Sequence, residues 1–544
     1  MSKSEVPTVR EVAMGTNGMV ATAHPLATAA AIDVLQRGGN AMDAAVAAAL
    51  TTGVVLPAMC GLGGDVFFIH YDAATGDVSS LNGSGVAPAR ATRQYFTDQG
   101  YEKMPLVGPL SPAIPGAVDA YFTGLEKFGS IAPRTLFRAA IRYAGEGFPL
   151  THRGAQTIAA NADALAEHET TANVFLPNGK PPRPGAMFQQ PDLARTLHAI
   201  AEGGPDVFYK GKIAQEIDRH MREVGGIITA DDLRTHESEM IDPISTDYRG
   251  YTVYQTNLPT NGLIHLEEMN ILAQSELPRM SHNSANALHL MVEAKKRAFA
   301  DRIAYAGDHR FVDVPLEQML SPEFARDRYD SIDMKQASDQ FVAGKLGEAV
   351  GDTTYLCVVD RDGNAVSFIQ SISHGFGSRV VAGNTGILLN NRLGRGFSLE
   401  EGHPNVVEPG KRTMSTLNCY LVTENGRLRW VGGTPGGDLQ PQVNMQTLTN
   451  LIDFGMNVQQ AVEAPRWSSF PGTDPGNLPN PFKLRVEDRI DKRVITELKK
   501  RGHDVETLGA WAGGGQVQLI EVNPENGALM GATDPRTEGV ALGI

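Results

Sequence analysis

Two threonines, Thr353 and Thr354, stand before an apolar segment deep inside this chain of 544 residues. The apolar residues 355–359 follow them, and the turn sequence Asp-Arg-Asp-Gly leads into a second apolar run at 365–369. Two apolar runs joined by a short turn with glycine predict a β-hairpin. Thr353 would then lie at the leading edge of the first strand.

The chemistry of Thr353 depends on whether the bond that joins it to Asp352 is cut. A cut would give Thr353 a free α-amine beside its hydroxyl, and this combination is a nucleophile with its own base. An α-amino group has a pKa of about 7.7 to 8, so part of it is neutral at cellular pH and can accept the hydroxyl proton. Paired threonines also have a structural explanation, because threonine favours strands and forms cross-strand hydrogen bonds. The local sequence leaves both explanations open.

The charge of the chain argues against several classes of partner. Asp and Glu number 62 against 48 Lys and Arg, which gives a net charge of -14. Such an acidic balance disfavours nucleic acids and anionic membranes. The first residues lack the apolar core of a signal peptide, and no uninterrupted run of about 18 apolar residues predicts a membrane span. We therefore expect a globular, cytoplasmic protein.

Cysteine and histidine spacing gives little support for a disulfide framework or a metal site. Cys60, Cys357 and Cys419 are scattered and odd in number, which indicates buried reduced thiols. The fourteen histidines include no His-Glu-x-x-His pair. We expect neither a metal ion nor a cofactor.

Helical and strand patterns follow one another in blocks. Residues 25–50 predict two alanine-rich helices interrupted at 37–39, with Asn40 as the N-cap of the second. Residues 112–331 are predominantly helical, and strands dominate again downstream. Strands at both ends with helices between them predict a layered sandwich of helices and strands. The downstream strands are predicted at 386–389, 417–422, 428–431 and 517–522, and the downstream helices at 443–454 and 492–501.

Two downstream turns carry groups suited to amide chemistry. The glycine-rich turn 432–438 follows a predicted strand, and consecutive glycines can direct two backbone N–H groups at one point, as an oxyanion hole requires. Residues 411–416 place Ser415 and Thr416 near a Lys-Arg pair, a suitable anchor for a carboxylate. A plain strand-to-helix turn explains the first equally well, and a solvated surface turn remains an alternative for the second.

Taken together, these segments resemble the γ-glutamyltranspeptidase family of N-terminal nucleophile hydrolases over nearly the whole chain. The resemblance implies an α+β fold, a four-layer αββα sandwich, and a proenzyme that cuts itself between Asp352 and Thr353. Residues 1–352 would form the large subunit and 353–544 the small subunit. The segments that match are 38–45, 203–211 and, more loosely, 247–250 upstream, and 353–354, 358–366, 386–391 and 435–437 downstream.

The resemblance also implies roles for individual residues. The Thr353 hydroxyl would first attack the Asp352 carbonyl to release the new N-terminus, and would then attack the amide of a substrate. The resemblance implies that Thr353 is the nucleophile and that the Ser371 hydroxyl assists it. It implies that Gly436 and Gly437 form the oxyanion hole, and that Ser415 and Thr416 bind the carboxylate of the substrate.

The departures from the family pattern concern substrate recognition. The family's arginine for the γ-glutamyl α-carboxylate falls on Ser84, and its asparagine near the second hydroxyl falls on Ser373. Its acids for the α-ammonium fall in the segment of Arg392 and Arg395, where a positive substrate group would be repelled. An acyl group with a carboxylate and no α-amine fits better, as in the acylase-like and oxamate-amidohydrolase-like branches. The short segment 397–412 lacks the tyrosine-bearing lid of some members, which predicts an open site.

Three functions remain as alternatives. The first is a self-cleaving amidohydrolase for such acyl groups, with a small-molecule amide as its substrate. The second is γ-glutamyl transfer or glutathione hydrolysis, and the third is an uncut, catalytically silent homologue. The two subunits would come from one precursor, and the sequence leaves a further dimer open.

Overall fold

The computed structural model describes residues 8–339, 353–473 and 481–544, so Asp352 lies outside the described residues. The strands in these residues are β1 (Ala13–Gly15), β2 (Gly18–Thr22), β3 (Asp65–Tyr71), β4 (Val78–Gly83), β5 (Phe148–Pro149), β6 (Met187–Phe188), β7 (Glu239–Ile241), β8 (Ile244–Tyr248), β9 (Tyr251–Gln255), β10 (Thr354–Asp360), β11 (Ala365–Ser371), β12 (Tyr420–Glu424), β13 (Arg427–Gly433), β14 (Trp467–Phe470), β15 (Lys483–Glu487), β16 (Val505–Leu508), β17 (Gln518–Val522), β18 (Leu529–Thr533) and β19 (Val540–Gly543).

The α-helices in the same residues are α1 (Pro25–Gln36), α2 (Ala41–Val55), α3 (Arg93–Asp98), α4 (Ala117–Phe128), α5 (Pro133–Leu136), α6 (Arg138–Glu146), α7 (His152–Ala160), α8 (Ala162–Leu165), α9 (Glu169–Phe175), α10 (Pro191–Gly203), α11 (Pro205–Tyr209), α12 (Lys212–Glu223), α13 (Ala230–Arg234), α14 (Gly262–Ala273), α15 (Ala285–Tyr305), α16 (Leu316–Met319), α17 (Pro322–Asp330), α18 (Arg392–Gly396), α19 (Leu439–Ile452), α20 (Val458–Glu463) and α21 (Lys492–Lys500).

Two seven-stranded sheets form the centre of the molecule. The first has the strand order β19-β2-β10-β11-β3-β4-β7, and the second has the order β1-β18-β17-β13-β12-β9-β8. Neighbouring strands in both sheets are antiparallel. An antiparallel sheet of this size needs a covered face on each side that carries apolar residues.

Three apolar cores separate the layers. The core between the two sheets includes Phe67 and Tyr355 from the first sheet and Leu421 from the second. A second core packs α1, α2 and other helices on the outer face of the first sheet. A third core packs α14, α15 and α19 on the outer face of the second sheet. The order helices, sheet, sheet, helices confirms the predicted α+β fold as a four-layer αββα sandwich.

The predicted hairpin is present and lies near the middle of the first sheet. β10 pairs with β11 in register from Thr354 opposite Gln370 to Val359 opposite Ala365. On its other side β10 pairs with β2, and every residue of both hairpin strands is buried. The hairpin therefore holds the backbone next to Thr353 rigidly.

The first two helices also follow the prediction. Asn40 and Asp43 form a reciprocal capping box, with Asn40 Oδ1 accepting from the Asp43 amide at 3.1 Å and Asp43 Oδ2 accepting from the Asn40 amide at 2.9 Å. The Ala41 amide donates to Asp360 Oδ2 at 3.0 Å, which ties the start of α2 to the end of β10. The three cysteines are buried and unpaired, as predicted.

Two predicted elements differ from the structure. Residues 386–389 form no strand, because Leu388 and Leu389 make isolated bridges to two different segments, at Val381 and Gly63. The predominantly helical stretch 112–331 also contains the hairpin β8–β9, which closes one edge of the second sheet. These strands are short and half exposed, so their apolar pattern is weak in the sequence.

Strands from either side of Thr353 interleave in both sheets. In the first sheet, β2 lies between β19 and β10, and β3 pairs with β11. In the second sheet, β1 pairs with β18 and β9 pairs with β12. The chain before Thr353 and the chain after it therefore complete each other's sheets.

No helix in the described part of the chain combines the length and the apolar character that a membrane span requires.

Candidate active site

Thr353 lies immediately before β10, beside the end of β11. Its hydroxyl Oγ1 donates to Ser371 Oγ at 3.2 Å, and Ser371 Oγ also accepts from the Ser373 amide at 2.7 Å. Thr353 and Ser371 have no exposed surface. The sheet register brings these two hydroxyls together, since Thr354 pairs with Gln370 one step along the hairpin.

The glycine turn between β13 and α19 faces the same place. Gly436 has a φ of +133° and Gly437 a φ of +58°, a region of backbone space that glycine adopts at little cost. Among the hydrogen bonds of the described residues, neither glycine's N–H donates to a protein acceptor. N–H groups that precede the first turn of a helix are commonly left for a ligand.

A buried ionic contact anchors this turn from behind. The carboxylate of Asp438 accepts from Arg302 at 3.0 Å, from Asn261 at 3.1 Å, and from the Thr473 amide at 2.6 Å. Burial raises the pKa of Asp438, but Arg302, Arg395 and the Thr473 hydrogen bonds outweigh burial and leave it below its usual value. The turn is therefore held by a charged carboxylate, a role that the sequence analysis missed.

A cavity of about 250 Å³ borders Thr353 and Gly436. We call the side of the site that faces this cavity the open wall. Three successive glycines, 513–515, let the chain approach closely there, since a Cβ at Gly514 would lie 2.8 Å from Leu439. The glycine triplet is the feature of the sequence that could have indicated this segment. The other residues of the open wall are Met59, Arg153, Pro435, Leu439, Trp511, Ala512, Gln516 and Arg536.

Buried charges fix one edge of the open wall. Arg536 donates to both carboxylate oxygens of Glu487, at 2.8 and 2.9 Å, and to Asp534 at 3.1 Å. The guanidinium carbon of Arg489 lies 3.6 Å from the ring centre of Trp511. Arg536 is thus held by two buried carboxylates, which also contact Arg489 and Arg466.

The residues predicted to bind the acyl group lie elsewhere, and we call their surface the closed wall. None of them lines the 250 Å³ cavity, and none has more than 2 % of its surface exposed. The expectation of an open site is wrong on this side, because part of 397–412 packs in a buried cluster that contains Phe397, Leu399 and Val407. The members of the closed wall are Ser84, Ser373, Arg392, Arg395, Ser415 and Thr416.

Two arginines of α18 define the chemistry of the closed wall. Arg392 Nε lies 2.8 Å from Asp65 Oδ2, and Arg395 NH1 donates to the Ser373 carbonyl at 3.1 Å. Burial raises the pKa of Asp65, while the charge of Arg392 and its hydrogen bond lower it. Ser373 has a φ of +84°, which is uncommon for a residue other than glycine and marks local strain. The two arginines are therefore fixed by residues next to the Thr353 and Ser371 hydroxyls.

Ser84 lies in contact with a guanidinium group. Its hydroxyl donates to Asn82 at 2.7 Å, and its carbonyl accepts from Arg412 Nε at 3.0 Å. Arg412 also lies 2.8 Å from Glu239. Arg90 and Arg93, which are closer in sequence, do not reach Ser84: Arg90 is exposed, and Arg93 donates to the Leu399 carbonyl. The structure thus identifies a candidate residue, Arg412, that the sequence left as part of a turn.

Ser415 and Thr416 are buried, so the solvated surface turn is excluded for them. The Ser415 amide donates to the Pro259 carbonyl at 2.7 Å, and the Ser415 Oγ accepts from the Leu417 amide at 3.3 Å. The Thr416 hydroxyl has no hydrogen-bond partner within the described residues. A buried hydroxyl of this kind is available to a substrate.

One cluster of metal-ligating side chains occurs in the described residues, and the sequence analysis missed its helical spacing. The ligand atoms of His289, Glu293 and His503 lie within 4.8 Å of one another. However, Lys296 and Arg297 already bond the Glu293 carboxylate, at 2.8 and 2.9 Å. Two cations on the carboxylate disfavour a third positive charge beside it. The cluster is best explained as a hydrogen-bonded contact between α15 and the segment after α21.

Comparison with known proteins gives consistent matches. Residues 27–544 match the family described as Gamma-glutamyltranspeptidase. The chain is 39% identical over 540 residues to the glutathione hydrolase-like YwrD proenzyme of Bacillus subtilis, covering 98% of this chain and 99% of that protein. It is 37% identical to the oxamate amidohydrolase proenzyme of Klebsiella pneumoniae, covering 97% of this chain and 99% of that protein.

A solved structure agrees with these sequence matches. The crystal structure of cephalosporin acylase from Bacillus halodurans has a TM-score of 0.92 and 36% identity, covering 100% of this chain and 99% of that chain. The predicted family and its acylase-like branch are confirmed. The chain belongs to the γ-glutamyltranspeptidase family of N-terminal nucleophile hydrolases, whose members are self-processing amidohydrolases and acyltransferases.

Proposed function

We propose that this chain cuts itself between Asp352 and Thr353 and then hydrolyses amides whose acyl group carries a carboxylate but no α-amine. The observation that supports it most is the convergence of the Thr353 hydroxyl, the Ser371 hydroxyl and the Gly436 turn at the edge of one cavity. Residues 1–352 and 353–544 are then the large and small subunits.

Self-cleavage begins at the Thr353 hydroxyl. Its oxygen attacks the Asp352 carbonyl, the C–N bond breaks, and the acyl group moves from nitrogen to oxygen as an ester. Water then hydrolyses the ester, which leaves a carboxylate on Asp352 and a free α-amine on Thr353. Ser371 Oγ, 3.2 Å from Thr353 Oγ1, holds the hydroxyl in position for the first step.

Amide hydrolysis uses the same oxygen with the new amine as its base. The amine accepts the hydroxyl proton, the oxygen attacks the substrate carbonyl, and the proton passes to the leaving amine. The N–H groups of Gly436 and Gly437 stabilise the negative oxygen of the tetrahedral intermediate. Water then releases the acid and restores the hydroxyl.

The charge of the closed wall supports an anionic acyl group. Burial, followed by the charges of Arg395, Arg392 and Arg379, lowers the pKa of His374 to about 3, so this side chain stays neutral at physiological pH. Arg392 Nε lies 2.8 Å from Asp65, and Arg395 NH1 donates to the Ser373 carbonyl at 3.1 Å, so two guanidinium groups lie in this wall. An ammonium on the acyl group would therefore meet positive charge, whereas a carboxylate would be attracted.

The first test is a denaturing gel of the purified protein. Wild type should give two bands divided at Thr353, and Thr353→Ala should give one full-length band. Thr354→Ala is the matched control, because it removes the neighbouring hydroxyl and should leave both bands. A single full-length band in wild type would identify an uncut, catalytically silent homologue.

The second test compares two 4-nitroanilides that differ only in the α-amine, glutaryl and γ-glutamyl. We expect kcat/KM to favour the glutaryl compound by at least about tenfold, because the ammonium is repelled. γ-Glutamyl transfer or glutathione hydrolysis is the second candidate, supported by the name of the Bacillus subtilis relative. A preference for the γ-glutamyl anilide would replace the first proposal by the second.

A further inference from the structure

A second cavity, of about 220 Å³, adjoins the open wall. We call it the annex. It shares Met59, Arg153 and Gln516 with the 250 Å³ cavity that borders Thr353. The remaining residues of the annex are Val55, Leu56, Pro57, Ala58, Leu150, Gly154, Thr157, Ile158 and Phe376. A group bound near Thr353 can therefore extend into a mostly apolar space.

The size of the annex limits what it can hold. Ligand sites for drug-sized molecules usually exceed about 300 Å³, so the annex suits a single ring system. Leu150 and Ile158 are buried at its back, at either end of the segment that includes α7. Burial of a ring against such side chains is favourable by about 25 cal/mol for each Å² removed from water.

Arg153 gives the junction of the two cavities a positive charge. Its NH1 donates to the Arg536 carbonyl at 2.7 Å, which holds the guanidinium at the shared boundary. Within the described residues, Arg153 forms no ion pair, and neither cavity has an acidic residue in its lining. Arg536, the other arginine there, forms ion pairs with Glu487 and Asp534.

We propose that the annex binds the amine half of the substrate amide and selects amines with an apolar ring and a carboxylate that pairs with Arg153. This inference rests on the proposed function, which places the acyl half against the closed wall. The amine half must then leave through the open wall, where the annex begins. Charge-assisted bonds between guanidinium and carboxylate are among the strongest polar contacts in proteins.

The test is a fluorescence titration of the cut protein with 6-amino-2-naphthoate and with its neutral 2-carboxamide. We expect the carboxylate to bind about tenfold more tightly than the amide, as one charged hydrogen bond implies. Arg153→Met should remove this preference, and Thr157→Trp should weaken both probes by filling the annex. Equal affinity of the two probes for wild type, or a preference that survives Arg153→Met, would overturn the proposal.

Two matched controls come from the same region. Arg138→Met removes an exposed arginine on α6, and Gln156→Trp adds the same ring to an exposed position of α7. Neither residue lines the annex, so both variants should bind the probes as wild type does. Melting temperatures show whether each variant is folded. If wild type is cut normally and hydrolyses the glutaryl anilide but does not bind the probes, the annex proposal alone is wrong.

Discussion

The closed wall and the open wall meet at Thr353 but are built by opposite means. The closed wall consists of buried arginine and hydroxyl side chains that contacts across long stretches of sequence hold in place, as Asp65 holds Arg392. The open wall combines the glycines Gly436, Gly514 and Gly515 with larger side chains around a cavity. Its Arg153 is exposed and forms no ion pair among the described residues. Buried side chains that are bonded on several sides tolerate little change, whereas an open cavity leaves room for a varied ligand. We infer strict selection of the acyl half and weaker selection of the amine half.

The largest effect on stability should come from the closed wall. Arg392→Met leaves the Asp65 carboxylate buried without its partner, and such losses cost about 3 to 5 kcal/mol of unfolding free energy. Because burial raises the pKa of Asp65, the deficit should shrink as the pH falls and the carboxylate becomes protonated. Urea unfolding at several pH values measures both effects.

The control for this variant is Arg37→Met, which breaks an exposed pair with Asp33 on α1. Exposed helical pairs contribute about 0.3 to 0.5 kcal/mol. If Arg392→Met lowers the unfolding free energy by as little as the control does, the ion pair between Arg392 and Asp65 does not hold the closed wall.

The open wall should respond in rate more than in stability. Gly436→Ala places a side chain where φ is +133° and should displace the N–H that faces Thr353, so kcat should fall by about 10² to 10³. Gly402→Ala is the control, because Gly402 also has a positive φ, +80°, with no atom within 4 Å of an added Cβ. Unchanged kcat in Gly436→Ala would remove this turn from the oxyanion hole.

A smaller effect is expected for a substitution of His374, which should change the pH dependence of stability but not the pH dependence of catalysis. The pKa of His374 falls from 6.5 to about 3, so the unfolded chain binds more protons between these values, and stability falls by up to about 1.4 kcal/mol per pH unit as the pH drops. His374→Gln should flatten that slope.

His374→Gln should not shift the acid limb of the pH profile of kcat/KM. This limb should stay near pH 8, because the α-amine of Thr353 titrates at about 7.7 to 8. His70→Gln is the control, because burial lowers the pKa of His70 to about 4 on β3. It should flatten the stability slope in the same way and also leave the limb in place. A limb that moves only in His374→Gln would contradict the amine as the base.

Local sequence predicted the parts of the site that are local in structure. The hairpin of β10 and β11, the capping box at Asn40 and the glycine turn at 432–438 each depend on residues within a few positions of one another. The periodicity of apolar residues and the special conformations of glycine report directly on such contacts. The resemblance then named Ser371, which the hairpin register places beside Thr353.

The contacts that shape the two walls could not be predicted in this way. Asp65 and Arg392 are separated by 327 positions, and Arg302 and Asp438 by 136. The sequence around each carboxylate does not indicate its partner, because the arginines lie on helices that are far away in sequence. Nothing in the sequence indicated a binding role for Arg153, because an arginine on an amphipathic helix is ordinarily a solvated surface residue.

Because strands from either side of Thr353 interleave, self-cleavage at Thr353 should depend on prior folding of the whole chain. Each half leaves open strand edges that only the other half covers, so separately synthesised halves would present those edges to solvent and to each other at random. The chain must reach its final arrangement as one polypeptide, and only then does the cut that we propose become chemically possible. A processed molecule is therefore one that had already folded when it was cut.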